Sequence, residues 1–398
     1  MEKYYLWLLT VLGEGSHEIT RLLNDFGNPE EVYRAFEKNV TLVGAEITAK
    51  AEKTGLESAE KQLADLEKLD IKMITIDSEE YPENLKHTAN PPCVLFAQGN
   101  TDILRRKLLT VVGSRAVTEY TQSVIPSVIK GLGDEYAVAS SLSEGCDQLT
   151  CLNSLKYGGP FIEVMPCGIS QTYPAGSKTM RKFLLDNGGL IISEFLPKTR
   201  SSLGSFTLRS RIIGGISKVT LVLQAGAGSG ALATAEFSRA PLFLPPNDVF
   251  RSEYVGAVNA VRKGGKLYFG TPDIEAAFRR AEESENVKEE TTPSPEKTKA
   301  AAKSKFRKTN KPAADRADKT EKSKNTPPEA PVNEAGEADF ESREHYLIYC
   351  AVRDSKAPVG AEELILRTGL SSDKTAEVLL DLEIDGRLSN EHNKYSVT

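Results

Sequence analysis

The 398-residue sequence predicts an α/β protein: a Rossmann-like, doubly wound and mostly parallel sheet, with an N-terminal helical domain and a C-terminal winged-helix-like domain. Short apolar, β-branched runs alternate with Gly-rich turns and amphipathic stretches in residues 69–282. Helical periodicity dominates residues 1–68 and returns in residues 341–398. Residues 283–340 have almost no apolar content, which predicts a disordered linker between the last two domains.

Composition excludes several classes of protein. The five cysteines form no CxxC pair and the four histidines lie far apart, so we expect no disulfide framework, zinc site or other metal site. No run approaches the roughly 20 apolar residues that span a bilayer, and the amino terminus carries no cleavage site of a signal peptide. We therefore expect a cytoplasmic protein without membrane contact. Because the net charge is −6, any nucleic-acid binding must come from a local basic patch.

The amino-terminal region reads as a series of helices. Gly27 is placed to end one helix, and Asn28-Pro29 opens the next. The preceding turn carries Gly13 and Gly15, a spacing that a helix-hairpin-helix uses to present backbone N–H groups to a phosphate. Glycines that merely build the turn explain the same pattern, and both interpretations remain open.

The clearest strand of the central domain is Leu108–Val112, followed by the turn Gly113-Ser114-Arg115 and a helix over residues 119–132. A junction of strand, glycine and helix is where α/β sheets bind ligands, because the helix amino terminus supplies free N–H groups. Arg115 adds a fork of donors that matches a phosphate.

The same pattern repeats along the domain. Further strands are predicted at residues 136–141, 161–165, 190–194, 219–223 and 242–244, with a helix from Gly230 through Ala240. Gly or Ser follows nearly every strand, which predicts one edge lined with N–H groups suited to anions; the candidates are Ser140, Gly145, Ser229 and Gly230. Neither a dinucleotide fingerprint nor a P-loop is present, so we expect no cofactor. A nucleic-acid backbone is the simplest remaining polyanion.

Residues 206–213 bring one aromatic, Phe206, beside two arginines, Arg209 and Arg211. An aromatic ring stacks on a base while arginines pair with phosphates, which suits single-stranded DNA. In the alternative interpretation, Phe206 belongs to the core and the arginines form structural ion pairs.

The predicted linker has a basic middle. Residues 297–324 hold eleven Lys or Arg against three acidic residues, a net charge of +8. Such a segment is either a solvated tether or a weak phosphate-binding arm.

These segments, in this order, resemble the DNA-processing protein A family (DprA, also called Smf) over most of residues 1–275. The resemblance rests on Val112–Arg115, Ser140–Asp147, Gly168 with Tyr173-Pro174, Ser193-Glu194, Phe206–Ile213 and Ser229–Ala235. Several positions depart from the family pattern: Ser141, Glu144, Cys151, Ala175, Ser210, Gln224 and Pro246. The changes at Glu144 and Ala175 remove positive charge from the expected DNA face, and Lys178 is close enough to substitute for the lysine common at 175.

The resemblance implies a protein that binds single-stranded DNA, forms a homodimer and loads the RecA recombinase onto DNA taken up in natural transformation. It implies no enzymatic activity. Gly113, Ser114 and Arg115 would hold phosphates, and Arg209 and Arg211 would contact them or shape the pocket. Phe206 is a stacking or core candidate.

The C-terminal region is predicted to hold helices over residues 344–352, 361–368 and 372–384, followed by a hairpin over 385–388 and 394–397. This looks like the winged-helix domain of longer family members. The third helix carries Asp373, Glu377, Asp381 and Glu383 against Lys374 alone, and an acidic helix repels duplex DNA. We therefore favour a protein-contact or regulatory module.

Two other functions compete with DNA binding. Gly228-Ser229-Gly230 with Thr234 and Glu236 faintly resembles the loop of Rossmann-like phosphoribohydrolases, but the tight PGGxGT spacing of those enzymes is missing. A protein that binds a mononucleotide without turning it over is the third candidate.

Overall fold

The computed structural model describes residues 1–38, 42–174, 176–291, 343–355, 358–368, 375, 378, 379, 382, 387–391 and 394–397. The chain divides into two compact units, Met1–Ala302 and Lys303–Thr398. The predicted boundary at residue 68 therefore falls inside one unit. In the described part of the chain, no helix is long and apolar enough to cross a membrane.

Five helices open the first unit: α1 Glu2–Leu12, α2 His17–Phe26, α3 Pro29–Glu37, α4 Ala45–Lys53 and α5 Leu56–Lys68. As predicted, Gly27 ends α2 in the left-handed region (φ 84°), and Asn28 caps α3 by accepting from the Glu31 N–H. Helix α1 is buried along most of its length, and Trp7 Nε1 donates to the Thr54 carbonyl at 2.6 Å. Its side chains share one hydrophobic core with the central sheet, which explains why the two predicted domains form one unit.

The central sheet has nine strands: β1 Lys72–Thr75, β2 Val94–Gly99, β3 Lys107–Val112, β4 Tyr136–Ser140, β5 Phe161–Val164, β6 Leu190–Ser193, β7 Val219–Val222, β8 Leu242–Leu244 and β9 Lys266–Leu267. Their order is β1-β2-β6-β5-β4-β3-β7-β8-β9. Strands β3 to β9 pair in parallel, whereas β1 and β2 add an antiparallel edge. The predicted mostly parallel, doubly wound sheet is confirmed.

The remaining helices of the first unit are α6 Glu83–Lys86, α7 Glu119–Leu132, α8 Cys146–Lys156, α9 Lys178–Asp186, α10 Leu203–Gly215, α11 Gly230–Glu236, α12 Val255–Arg262 and α13 Thr271–Thr291. Helix α7 has the predicted bounds. Helix α11 stops at Glu236, four residues before the predicted end at Ala240. Helix α13 passes the predicted domain boundary at 282 by nine residues, and most of the predicted linker lies outside the described residues.

The second unit contains α14 Arg343–Arg353, β10 Val359–Gly360, α15 Ala361–Thr368, β11 Leu388–Glu391 and β12 Lys394–Val397. The strands form an antiparallel sheet in the order β10-β12-β11, which includes the predicted hairpin. Of the predicted third helix, Thr375, Val378, Leu379 and Leu382 are helical and buried. Its acidic residues Asp373, Glu377, Asp381 and Glu383 lie outside the described residues.

Candidate nucleic-acid interface

A crevice is expected where the strand order reverses, between the parallel neighbours β3 and β7. From β3 the chain continues to β4, β5 and β6 on one side, and β7, β8 and β9 lie on the other. The loops that leave β3 and β7 therefore diverge at their carboxyl ends, the position where open α/β sheets bind ligands. The turn Gly113-Ser114-Arg115 lies at this point.

The backbone N–H groups of this turn are already used within the protein. The Gly113 N–H donates to Asp147 Oδ1 at 3.3 Å, and the Ser114 N–H donates to the Gln224 carbonyl at 3.0 Å. The expectation that Gly113 and Ser114 present free N–H groups to a phosphate is therefore wrong for these two donors. What remains is the half-buried Ser114 side chain and the exposed Arg115 guanidinium.

Gln224 holds the far end of the same loop. Its Nε2 donates to the Ala116 carbonyl at 2.7 Å, and its Oε1 accepts from the Thr118 N–H at 3.0 Å. The side chain is 1% exposed. A buried amide with partners on both sides fixes the path of the loop that carries Arg115.

The turn after β4 packs against the turn that carries Arg115. Its residues Ser140 and Gly145 do not offer the predicted contacts to a phosphate. Ser140 is fully buried, so its hydroxyl cannot reach a ligand at the surface. Gly145 has φ 86° and packs directly on the Arg115 carbonyl, where a Cβ atom would collide. The Cys146 N–H donates to the Ser114 carbonyl at 3.1 Å. Ser140 and Gly145 thus shape the site, and the exposed Glu144 lies on the same turn.

Asp147 joins the two turns and was missed as a site residue. It accepts from Gly113 and also from Ser141 Oγ, at 2.5 Å to Oδ2, and it is 7% exposed. Burial raises the pKa of its carboxyl to about 6. The sequence shows Asp147 only as an acidic residue at the start of a helix, which is usually a solvated position.

Phe206 and Arg209 lie next to each other on α10, with Tyr173 beside them. The Phe206 and Tyr173 rings meet edge-on with centroids 5.2 Å apart, and the Arg209 guanidinium carbon lies 5.3 Å from the Phe206 centroid. Phe206 is half-buried, and its ring is contacted by both Tyr173 and Arg209, so it supports the guanidinium. Tyr173 is also half-buried, and it packs against the main hydrophobic core.

Arg209 is the most unusual cation of the crevice. Within the described residues it forms no ion pair, and its Nε has no hydrogen-bond partner. Burial lowers the pKa of its guanidinium, while the nearby Asp147 carboxylate opposes that shift. A half-buried guanidinium without a direct partner is suited to an anionic ligand.

Arg211 lies inside the protein. It is 6% exposed, and its guanidinium pairs with Glu194 at 2.5 Å. The prediction of a direct phosphate contact at Arg211 is therefore not supported, and the alternative interpretation as a structural ion pair describes it.

A second buried acid lies behind the crevice. Glu163 on β5 is 1% exposed, and its Oε2 lies 3.4 Å from Arg181 Nε. Burial raises the pKa of the Glu163 carboxyl to about 7, although Arg181 and Arg209 oppose the shift. Cys151, a departure from the family pattern, is buried near this carboxyl.

The remaining predicted contacts lie at two helix starts. Ser229 caps α11 by accepting from the Ala231 N–H, and Gly230 is exposed beside it. Ser210, another departure, accepts from Thr234 Oγ1 at 3.1 Å. Lys178 is exposed at the first position of α9 and lines a cavity of about 290 Å³ together with Arg181 and Lys182. Ala175 lies outside the described residues.

The turn with Gly13 and Gly15 is packed against the central domain. Glu14 Oε1 accepts from Thr199 Oγ1 at 2.7 Å and from the Leu196 N–H at 3.3 Å. Gly15 lies directly against the Leu208 side chain. Of the two open interpretations, the structure supports turn glycines that fix the helices to the sheet.

Comparison with known proteins supports one family throughout. Residues 72–279 match the family model described as DNA recombination-mediator protein A, and residues 342–392 match the DprA winged helix domain. The DNA processing protein DprA of Streptococcus pneumoniae is 30% identical over 201 residues, which covers 50% of this chain and 71% of that protein. Its Bacillus subtilis counterpart is 30% identical over 210 residues, 51% of this chain and 70% of that protein.

Other relatives agree. Protein Smf of Escherichia coli is 34% identical over 179 residues, 45% of this chain and 48% of that protein. The X-ray structure of DprA from Streptococcus pneumoniae superposes with a TM-score of 0.60 at 24% identity, covering 68% of this chain and 97% of that one. This last similarity shows that the fold is shared.

Proposed function

The chain belongs to the DNA recombination-mediator protein A (DprA/Smf) family of DNA-processing proteins, and from this membership we propose that it binds single-stranded DNA in the cytoplasm. We further propose that it loads a RecA recombinase onto DNA taken up in natural transformation. The observation that carries the proposal is the pair of arginines, Arg115 and Arg209, which are free of ion pairs within the described residues and lie at the carboxyl edge of the sheet.

The chemistry of this edge fits an extended polyanion. Arg115 is exposed and Arg209 is half-buried against Phe206, so the two offer phosphate contacts at different depths. Lys178 adds a third cation, which is exposed at the start of α9. Tyr173 gives a base a ring beside these charges. We propose a binding protein without catalysis.

Competition between ligands tests this function. Filter binding of a labelled oligo-dT is measured against an excess of unlabelled oligo-dT or of a nucleoside monophosphate. We expect the oligonucleotide alone to compete, because many weak phosphate contacts add up along a strand. Displacement by the mononucleotide at equal phosphate concentration would instead support the nucleotide-binding or nucleotide-hydrolysing alternative.

We also propose that the protein forms a homodimer. Strand β9 is the edge of the sheet, and the neighbouring Phe269 and Leu267 are 76% and 41% exposed. Exposed apolar side chains at a strand edge favour self-association. Sedimentation equilibrium of the full chain should give a mass twice that of the 43.4 kDa monomer. Phe269→Glu should weaken the dimer and shift the measured mass toward that of the monomer. A monomeric wild-type protein contradicts the proposal.

A further inference from the structure

Asp147 connects the two turns that build the crevice. One carboxylate oxygen accepts from the Gly113 N–H on the turn after β3, and the other accepts from Ser141 Oγ on the turn after β4. Ser141 Oγ also accepts from the Ser143 N–H at 3.0 Å and lies 2.8 Å from Ser143 Oγ, which can donate to it. Both oxygens of the carboxylate are therefore engaged with the loops that they hold together.

Charged groups face Asp147 from several elements. Arg209 on α10 and Arg115 on the turn after β3 both favour its ionised form, and the Cys146 thiol is its neighbour on α8. Glu163 on β5 also interacts electrostatically with Arg209, which favours the ionised form of the Glu163 carboxyl. Since the oxygens of Asp147 are hydrogen-bonded elsewhere, the carboxylate offsets the Arg209 charge through space and leaves the donors of that guanidinium free.

We propose that Asp147 is a positioning residue for the binding of single-stranded DNA. It holds the turns after β3 and β4 together, so that Arg115 and Arg209 face one crevice with unoccupied donors. The inference rests on the proposed function and assigns a role to a buried residue that itself touches no DNA. Its carboxyl, with a pKa raised by burial to about 6, is ionised in most molecules at neutral pH.

Two substitutions separate the hydrogen bonds of Asp147 from its charge. Asp147→Asn keeps an acceptor for Gly113 and can donate to Ser141 Oγ, whereas Asp147→Ala loses both contacts. In anisotropy titrations of the full chain with labelled oligo-dT at pH 7.5, we expect Asp147→Ala to weaken binding about tenfold. Asp147→Asn should bind at least as tightly as wild type, because the turns stay in place and a negative charge is gone.

Controls keep the test decisive. Asp134→Asn and Asp134→Ala change an exposed aspartate just before β4, at the opposite edge of the sheet, and should leave binding unchanged. Ser141→Ala removes one of the two hydrogen bonds to Asp147 and should give a smaller loss of oligo-dT affinity. This variant tests the inference if Asp147→Ala does not fold. Thermal unfolding followed by circular dichroism identifies folded variants.

The pH dependence separates positioning from a purely structural role. Between pH 7.5 and 5.5 wild-type affinity should rise more than that of Asp147→Asn, since only the wild type loses the Asp147 charge. The inference is overturned if Asp147→Asn and Asp147→Ala lose the same amount of oligo-dT affinity. It is also overturned if Asp147→Ala and Ser141→Ala both bind oligo-dT as tightly as wild type. In either case the proposed function stands. A wild-type protein that binds no oligo-dT at low salt overturns both.

Discussion

The Arg209 guanidinium lies over the Phe206 ring, with 5.3 Å between its central carbon and the ring centroid, and Tyr173 meets the same ring at 5.2 Å. A cation over an aromatic face is attracted by the ring quadrupole, most strongly when partly removed from water. The ring therefore fixes the direction of a guanidinium that has no ion pair in the described part of the protein. The Phe206 ring therefore positions Arg209, and this contact leaves less of the ring available to stack on a base.

Replacing Phe206 tests this relationship. Phe206→Leu keeps much of the apolar volume but removes the aromatic face, so we expect oligo-dT affinity to fall about fivefold as Arg209 loses its support. Phe183→Leu on α9 changes a phenylalanine that is 44% exposed and serves as the matched control. If Phe206→Leu binds like wild type, Arg209 does not depend on the ring.

Breaking the buried ion pair between Arg211 and Glu194 should lower the stability of the protein. Arg211→Met leaves the Glu194 carboxylate buried and unpaired, which should lower the free energy of unfolding by about 3 to 5 kcal/mol in urea titrations. The double variant with Glu194→Gln should recover part of that loss. A stable Arg211→Met protein that no longer binds DNA would instead support the prediction that Arg211 contacts a phosphate directly.

Gln224 should matter for the shape of the site. Gln224→Ala removes the contacts to Ala116 and Thr118, so the loop with Arg115 loosens and oligo-dT affinity falls severalfold. Gln148→Ala removes one amide contact, to the Leu142 carbonyl, on the neighbouring turn and is the control. A larger effect of the control on binding would argue against a special role for Gln224.

The raised pKa of the buried Glu163 carboxyl leads us to expect that stability depends on pH. Its pKa is raised from 4.5 to about 7 in the folded protein, so the folded state binds more protons than the unfolded state between these values. The free energy of unfolding should therefore fall as pH rises from about 4.5 to 7, by roughly 2 to 3 kcal/mol for this group. Asp147 contributes with the same sign up to about pH 6.

Urea titrations across this pH range provide the measurement. Glu163→Gln cannot ionise, so its stability should fall less between pH 5 and 7.5 than that of wild type. The same slope in both proteins would show that Glu163 is not the group responsible.

Much of the fold could be predicted because the buried parallel strands are continuous apolar runs, such as Leu108–Val112. Strands β1, β2 and β9 escaped prediction, since they lie toward the sheet edges and their residues repeat no such strand–turn–helix pattern. Residues 206–213, which stood out by their aromatic and their arginines alone, lie on α10.

The site was predictable only in part. Charge and aromatic content pointed to Arg115, Phe206 and Arg209, but partners distant in sequence decide what each group is free to do. Gly113 donates to Asp147, 34 positions later, and Arg211 pairs with Glu194, 17 positions earlier. Such pairings depend on how strands and helices meet, which periodicity and composition do not encode.

The most direct test is a fluorescence-anisotropy titration of labelled oligo-dT at about 50 and 200 mM salt, with wild type, Arg115→Ala and a variant lacking residues 297–324. We expect wild-type affinity to fall steeply with salt and Arg115→Ala to lose at least about tenfold at either salt. The deletion should cost much less. Binding that survives Arg115→Ala but is lost with residues 297–324 would place the DNA on the basic segment and contradict the crevice as the binding site.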